Sequence, residues 1–125
     1  MRENTLLVVD DDESILGATT QLLELEGYKV RTATNGKEAL SEILSAPVAM
    51  VLLDMRMPVM NGWEFASEMK VRGLSVPVLV MTAAHNARQW AEEINADGCI
   101  AKPFEVDELL AEVRRVLDQS PRPGT

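Results

Sequence analysis

Five short apolar runs, separated by longer segments with helical periodicity, constrain the fold of this chain more than any other feature of its sequence. They lie at residues 6–9, 28–33, 50–53, 76–81 and 99–101. The first, third and fourth runs are almost continuously apolar, which is typical of strands that are covered on both faces. The second run alternates between apolar and polar residues, which indicates a more exposed strand near the edge of a sheet.

The segments between these runs carry apolar residues at the spacing of an α-helix. Helices are expected at residues 14–26, from 35, from 61, over about 87–94 and from 106. Asn35 and Asn61 are predicted N-caps, Gly27 is predicted to close the first helix in a left-handed conformation, and Gly62 is predicted to be a turn residue with positive φ. The residues expected to face inward are Ile15, Ala18, Leu22, Leu23, Ala39, Leu40, Ile43, Leu44, Phe65, Ala66, Met69, Val106, Leu109, Leu110, Val113, Val116 and Leu117.

Strand and helix therefore alternate five times within 125 residues, a length that suits one domain. This alternation predicts an α/β domain with a five-stranded parallel sheet, right-handed crossovers and helices on both faces. We place the domain at residues 1–119. Residues 120–125 contain two prolines and a glycine, and we interpret them as a tail or the start of a linker.

The composition excludes several classes of function. The chain has 12 Lys and Arg residues against 20 Asp and Glu residues, a net charge of −8, so we expect no direct binding of nucleic acid. Its one cysteine can form no internal disulfide and cannot anchor a zinc site. No apolar run approaches the roughly 20 residues of a membrane span, and the first residues do not resemble a signal peptide. We therefore expect a cytoplasmic domain without a membrane partner.

Polar side chains follow four of the five predicted strands, at the edge where parallel α/β sheets bind ligands. An aspartate run that begins at Asp10 follows the first strand, Asp54 ends the third, Thr82 ends the fourth, and Lys102 ends the fifth. If these carboxylates converge, their repulsion must be relieved by protonation or by a cation. Carboxylate oxygens suit a hard ion, so Mg²⁺ or Mn²⁺ is the expected ligand.

A simpler interpretation of these residues stays open at this point. The aspartate run can cap the first helix, a role that we assign to Asp12, and Lys102 can form an ordinary salt bridge with Asp54. An ionised Asp54 at the end of a buried strand would be costly without a partner, which favours a functional site.

Four sequence strings together resemble the receiver domain of two-component response regulators, over about residues 4–118. They are LLVVDDDES at 6–14, VLLDMRMPVMNG at 51–62, VLVMTAA at 78–84 and AKPF at 101–104. The resemblance implies a flavodoxin-like (βα)5 fold with strand order 2-1-3-4-5, an order that general accounts of the fold illustrate with a receiver protein. It also implies a switch controlled by phosphorylation.

The resemblance further implies a role for each acidic residue. Asp54 would accept a phosphoryl group from the phosphohistidine of a sensor histidine kinase or a phosphotransfer protein. Asp11, Asp54 and the backbone carbonyl of Arg56 would bind Mg²⁺ directly, and Asp10 would hold the ion through water. The domain would not be an enzyme with a substrate of its own. It would catalyse only its own phosphorylation and dephosphorylation.

The remaining implied residues hold the phosphoryl group and report its presence. Lys102, the Thr82 hydroxyl and the backbone amide of Ala83 would contact phosphate oxygens. Helix four, strand five and helix five would then change their surface towards an effector domain or a second receiver. The family usually has an aromatic switch residue three positions before the lysine, whereas this chain has Cys99, which we interpret as a small buried hydrophobe.

Three other functions compete with this one. A phosphatase of the haloacid-dehalogenase type would need a second aspartate two residues after Asp54, where this chain has Arg56. Nucleotide binding would need a glycine-rich loop after the first strand, where this chain has aspartates. A receiver-like docking module that works without phosphorylation remains the alternative, because Cys99 departs from the family pattern.

Overall fold

The computed structural model describes residues 5–83 and 85–119, and strand and helix alternate along them as predicted. The strands are β1 (Thr5–Val9), β2 (Lys29–Ala33), β3 (Met50–Asp54), β4 (Val78–Ala83) and β5 (Gly98–Lys102). The helices are α1 (Glu13–Leu25), α2 (Gly36–Ser45), α3 (Gly62–Val71), α4 (Ala87–Glu93) and α5 (Val106–Gln119). Among the described residues, no helix is long and apolar enough to cross a membrane.

The sheet is entirely parallel and has the order β2-β1-β3-β4-β5, which confirms the expected fold. The register places Val9 beside Leu53, Asp54 beside Met81, and Ala83 beside Lys102. The carboxyl ends of β1, β3, β4 and β5 therefore lie along one edge of the sheet. This edge is where the sequence places its ionisable side chains.

The apolar side chains form two layers, one on each face of the sheet. Leu7, Val9 and Leu53 belong to the layer between the sheet and helices α2, α3 and α4. Phe65 of α3 is fully buried in this layer. Their neighbours along the strands point the other way, into a layer formed with α1 and α5. Because β1 and β3 are buried on both faces, their sequences are continuously apolar, as expected for central parallel strands. The edge strand β2 is only partly buried.

The predicted helix caps are present. Asp12 accepts hydrogen bonds from the backbone N–H groups of Ser14 (2.9 Å) and Ile15 (3.2 Å), so α1 begins one residue earlier than expected. Asn35 caps α2, and Asn61 caps α3 in a reciprocal capping box with Glu64. Gly27 follows α1 with φ 97°, as predicted.

Some of the inward-facing assignments are wrong. Ala18 is exposed, Leu44 is 58% exposed and Val106 is 44% exposed. Each lies at the border of the apolar face of its helix. Its apolar character alone therefore does not determine whether it points towards the core or towards solvent. On α1 the buried positions are Thr19 and Leu23. A pattern of apolar residues does not predict the burial of Thr19, because threonine is polar.

Gly62 is also a correction, because it does not have the predicted positive φ. It is the first residue of α3 and is buried against the end of β3. A Cβ atom at this position would lie 2.5 Å from Met55 Sδ and 2.8 Å from Met55 Cα. The glycine is therefore required by a close approach between the helix and the strand, and not by a turn.

Val59 in the loop between β3 and α3 has a φ of 70°, which is strained for a β-branched residue. It is 74% exposed, and the turn around it is closed by a hydrogen bond of 2.7 Å from Met60 N–H to the Pro58 carbonyl. Asparagine tolerates this conformation better than valine does. We expect Val59→Asn to raise stability by about 1 kcal/mol and the Tm by about 4 °C.

Thermal unfolding checks this expectation, with Val71→Asn as the control. Val71 is similarly exposed (78%) and is the last residue of α3, where φ is not positive. The control should not gain stability. An equal change in both variants would contradict the account of strain at Val59.

Candidate functional site

The carboxyl ends of β1 and β3 bring three aspartates together at one edge of the sheet. Asp10 directly follows β1 and is fully buried, Asp54 is the last residue of β3 and is 6% exposed, and Asp11 is open to solvent. Each offers a carboxylate oxygen, and these oxygens lie within 4.8 Å of one another. Because β1 and β3 are neighbours in the sheet, side chains that are distant in sequence meet here.

Lys102 reaches this cluster from the end of β5. Its Nζ lies 2.7 Å from Asp10 Oδ2 and 3.7 Å from Asp54 Oδ1. Asp10 Oδ1 also accepts a hydrogen bond of 2.9 Å from the Asp12 backbone N–H. A fully buried carboxylate needs such partners, because an unpaired charge would be strongly destabilising. Lys102 thus forms the expected ion pair with Asp54, and it forms a tighter one with Asp10.

Burial of the Asp54 side chain raises the pKa of its carboxyl from 3.8 to about 6. The ammonium of Lys102 opposes this rise, and the charge of Asp10 adds to it. The Arg56 backbone N–H lowers the pKa by hydrogen bonding to the carboxylate, and the charge of Asp11 raises it. Asp54 is therefore mostly ionised at neutral pH, but in surroundings that disfavour its charge.

Thr82 and Ala83 lie at the same edge, on β4. Thr82 is a buried polar residue (3% exposed) and pairs in register with Ala101. Ala83 is exposed and pairs with Lys102, and the Lys102–Pro103 peptide bond is cis. The small Ala83 side chain leaves the approach to this edge open.

Cys99 lies on β5, half-buried, and pairs in register with Val80. It packs against the apolar layer under α2, α3 and α4, as a small hydrophobic residue would. Its backbone N–H donates a 3.3 Å hydrogen bond to Glu112 Oε2 on α5, and Arg115 holds the same carboxylate at 2.7 Å. The start of β5 is thereby fixed to α5.

A contact beside the site that the sequence does not indicate joins Arg56 to Trp90, and through Trp90 to Trp63. The Arg56 guanidinium carbon lies 5.7 Å from the centre of the Trp90 ring. Trp90 in turn meets Trp63 of α3 edge-to-face, with ring centroids 4.8 Å apart and planes at 68°. Trp63 Nε1 donates a 2.8 Å hydrogen bond to Glu93 Oε1 of α4. Helical periodicity indicates only the face of its own helix on which each tryptophan lies. It therefore cannot predict that the two tryptophans contact each other.

The three aspartates fit a hard divalent cation. All three offer oxygen, and the exposure of Asp11 leaves the cluster open to water. Mg²⁺ prefers such donors and usually retains several water ligands in protein sites. The backbone carbonyl of Arg56, two residues after Asp54, is the further oxygen that the resemblance assigns to such an ion.

We expect Mg²⁺ to stabilise the fold, because a cation would relieve the repulsion among these carboxylates. The gain should reach about 2.7 kcal/mol when free Mg²⁺ is about 100 times its Kd. Thermal unfolding during a titration with MgCl2 measures it, and NaCl at equal ionic strength is the control. A Tm that responds equally to both salts would contradict a specific cation site.

Comparisons with known proteins agree with this architecture. Residues 6–114 match the family model described as the response regulator receiver domain. The chain is 42% identical over 121 residues to the transcriptional regulatory protein CpxR homolog of Haemophilus influenzae, an alignment that covers 95% of this chain and 52% of that protein. A putative response regulator from Chloroflexus aurantiacus has a TM-score of 0.85 at 31% identity, covering 94% of this chain and 100% of that one. The chemotaxis protein CheY4 of Vibrio cholerae has a TM-score of 0.82 at 32% identity, covering 92% and 99%.

The chain therefore belongs to the receiver domain family of two-component response regulators. Membership implies signalling through a phosphorylated aspartate, with histidine kinases and effector domains as the classes of partner, and an acidic pocket that binds metal. The chain spans about half the length of the curated relatives it matches.

Proposed function

We propose that this domain is a cytoplasmic switch in which Asp54 accepts a phosphoryl group from a phosphohistidine of a sensor kinase or phosphotransfer protein. The single observation that carries the proposal is the position of Asp54. It is almost fully buried, lies within a cluster of three aspartates, and has the Lys102 ammonium 3.7 Å away. A carboxylate nucleophile, a cation site and a fixed positive charge are the parts that phosphoryl transfer needs.

In this proposal an ionised Asp54 oxygen attacks the phosphorus atom. The new O–P bond forms as the bond to the histidine nitrogen breaks, and the leaving imidazole takes up a proton. Lys102 faces Asp54 as well as Asp10, so its ammonium can neutralise an oxygen of the transferred group. The Thr82 hydroxyl and the Ala83 amide lie at the same edge and would bind further oxygens. When bound by Asp11, Asp54 and the Arg56 carbonyl, and through water by Asp10, Mg²⁺ would supply additional neutralisation of charge.

We assign the output to the surface formed by α4, β5 and α5, which would contact an effector domain or a second receiver. Thr82 is the second-last residue of β4, and α4 is the next helix along the chain, so a Thr82 that moves towards a phosphoryl group would pull on this surface. The names of the similar proteins, a transcriptional regulator and a chemotaxis protein, point to different outputs on one type of domain. We assign no turnover activity beyond self-catalysed phosphorylation and dephosphorylation.

A docking module that works without phosphorylation is the second candidate, and Cys99 is the observation that favours it. A half-buried thiol cannot swing into a cavity as an aromatic ring can. The retained Asp11, Asp54, Thr82 and Lys102 argue against this candidate, because a passive surface has no need for a buried carboxylate within a cluster of ionisable groups.

Treatment with acetyl phosphate followed by intact-mass measurement tests the proposed function. With Mg²⁺ the protein should gain one phosphoryl group, and chelation of the metal should prevent the gain. No gain in mass under either condition would favour the docking module.

A further inference from the structure

Arg56 connects the acidic site to α4. It is two residues after Asp54, and its backbone N–H donates to the Asp54 carboxylate. Its side chain is exposed and extends away from the cluster, with the guanidinium over the Trp90 ring at 5.7 Å. One residue thus contacts the candidate phosphoacceptor through its backbone and α4 through its side chain.

Helix α4 is short, and Trp90 and Glu93 connect it to Trp63 of α3. It has seven residues, the side chain of its N-cap Asn86 makes no capping hydrogen bond, and its buried residues are the small Ala87 and Ala91. Trp90 meets Trp63 at 4.8 Å, and Glu93 accepts the hydrogen bond of 2.8 Å from the Trp63 indole. A change at Trp90 therefore acts on the packing of α4.

We infer that the Arg56 guanidinium is a second cationic ligand of the phosphoryl group and that it leaves the Trp90 ring when Asp54 is phosphorylated. This inference rests on the proposed function. It assigns to Arg56 a sensing role that links the occupied site to the position of α4 through Trp90.

The electrostatics favour this exchange of partners. Asp10 and Asp54 are buried below the rim of the site, and Lys102 already lies between them. A phosphoryl group on Asp54 would bring a charge of about −1.5 to −2 outward, to the rim where Arg56 lies. Because Arg56 is exposed to solvent, its attraction to the partly buried Trp90 ring is weaker than a charge-assisted, bidentate contact with phosphoryl oxygens. Arg56 can therefore rest on Trp90 in the unmodified domain and be drawn off it afterwards.

Beryllofluoride with Mg²⁺, a stable mimic of the phosphoryl group, allows a direct test. Its affinity is measured by fluorine NMR, and the response of α4 by the indole N–H signal of Trp90. The chain has two tryptophans, so Trp63→Phe assigns the two indole signals. The variants are Arg56→Met, which removes the charge, and Arg56→Lys, which keeps a charge without the planar fork. Arg114→Met on the exposed surface of α5 is the matched control for a lost charge.

We expect Arg56→Met to bind beryllofluoride at least about threefold more weakly and to show, at saturation, a Trp90 indole shift at least about twofold smaller. Arg56→Lys should recover part of the affinity but little of the indole shift, and the control should behave as the unsubstituted chain does. If either the affinity or the indole shift is unchanged in Arg56→Met, the inference is overturned. If the unsubstituted chain does not bind beryllofluoride at all, the proposed function fails first, and this inference fails with it.

Discussion

Asp54→Asn is expected to abolish the gain of a phosphoryl group from acetyl phosphate. Asparagine keeps the shape of the side chain but removes the nucleophilic carboxylate oxygen. Asp11→Asn should instead retain the acceptor and lose much of the dependence on Mg²⁺, because it removes one candidate metal ligand. Intact-mass measurement across a titration of Mg²⁺ distinguishes the two effects.

The matched control for these variants is Asp118→Asn, an aspartate on the exposed surface of α5 and away from the cluster. It should take up the phosphoryl group as the unsubstituted chain does. Phosphoryl uptake by Asp54→Asn at the unsubstituted rate would show that another residue is the acceptor.

The second large effect concerns the pH dependence of stability. Burial raises the pKa of Asp54 from 3.8 to about 6 in the folded protein. Between these two values the folded state binds a proton more readily than the unfolded state, so this residue makes stability fall as pH rises through that window. Each unit of pKa difference corresponds to about 1.4 kcal/mol of free energy of unfolding. Above about pH 7, ionised Asp54 therefore lowers the free energy of unfolding by about 3 kcal/mol.

Asp54→Asn should therefore be more stable than the unsubstituted chain at pH 8 without divalent cations, by about 3 kcal/mol. The difference should shrink to nearly nothing at about pH 3, where the carboxyl is mostly protonated in both states. Urea unfolding of both proteins measures the free energy of unfolding across this range, and added Mg²⁺ should reduce the difference at high pH. A difference that does not change with pH would contradict the raised pKa of Asp54.

Much of the fold could be predicted because its causes are local. Continuous apolar runs are typical of parallel strands buried on both faces, and β1 and β3 occupy those positions. Asp12, Asn35 and Asn61 cap their helices because a short polar side chain there satisfies backbone donors of the first turn.

The acidic site could be located from the sequence, but its pairings could not. Parallel topology alone places Asp10, Asp54 and Lys102 at one edge of the sheet. Whether Lys102 lies closer to Asp10 or to Asp54 depends on side-chain packing between strands, which no local pattern records.

Two other features also depended on contacts between elements. Gly62 is needed because its backbone lies close to Met55. From the sequence alone, a glycine required for this reason cannot be distinguished from a glycine required by a turn. The meeting of Trp63 with Trp90 depends on how α3 and α4 pack together, and the helical period of neither helix contains that information.

Amide NMR of the free and beryllofluoride-bound protein tests the central claim, that occupancy of Asp54 switches a distant surface, most directly. We expect shifts in the loops after β1 and β3 that extend through Thr82 and along residues 82–94, with little change at Cys99. Shifts confined to the loops around Asp10, Asp11 and Asp54, with none beyond Thr82, would contradict the switch.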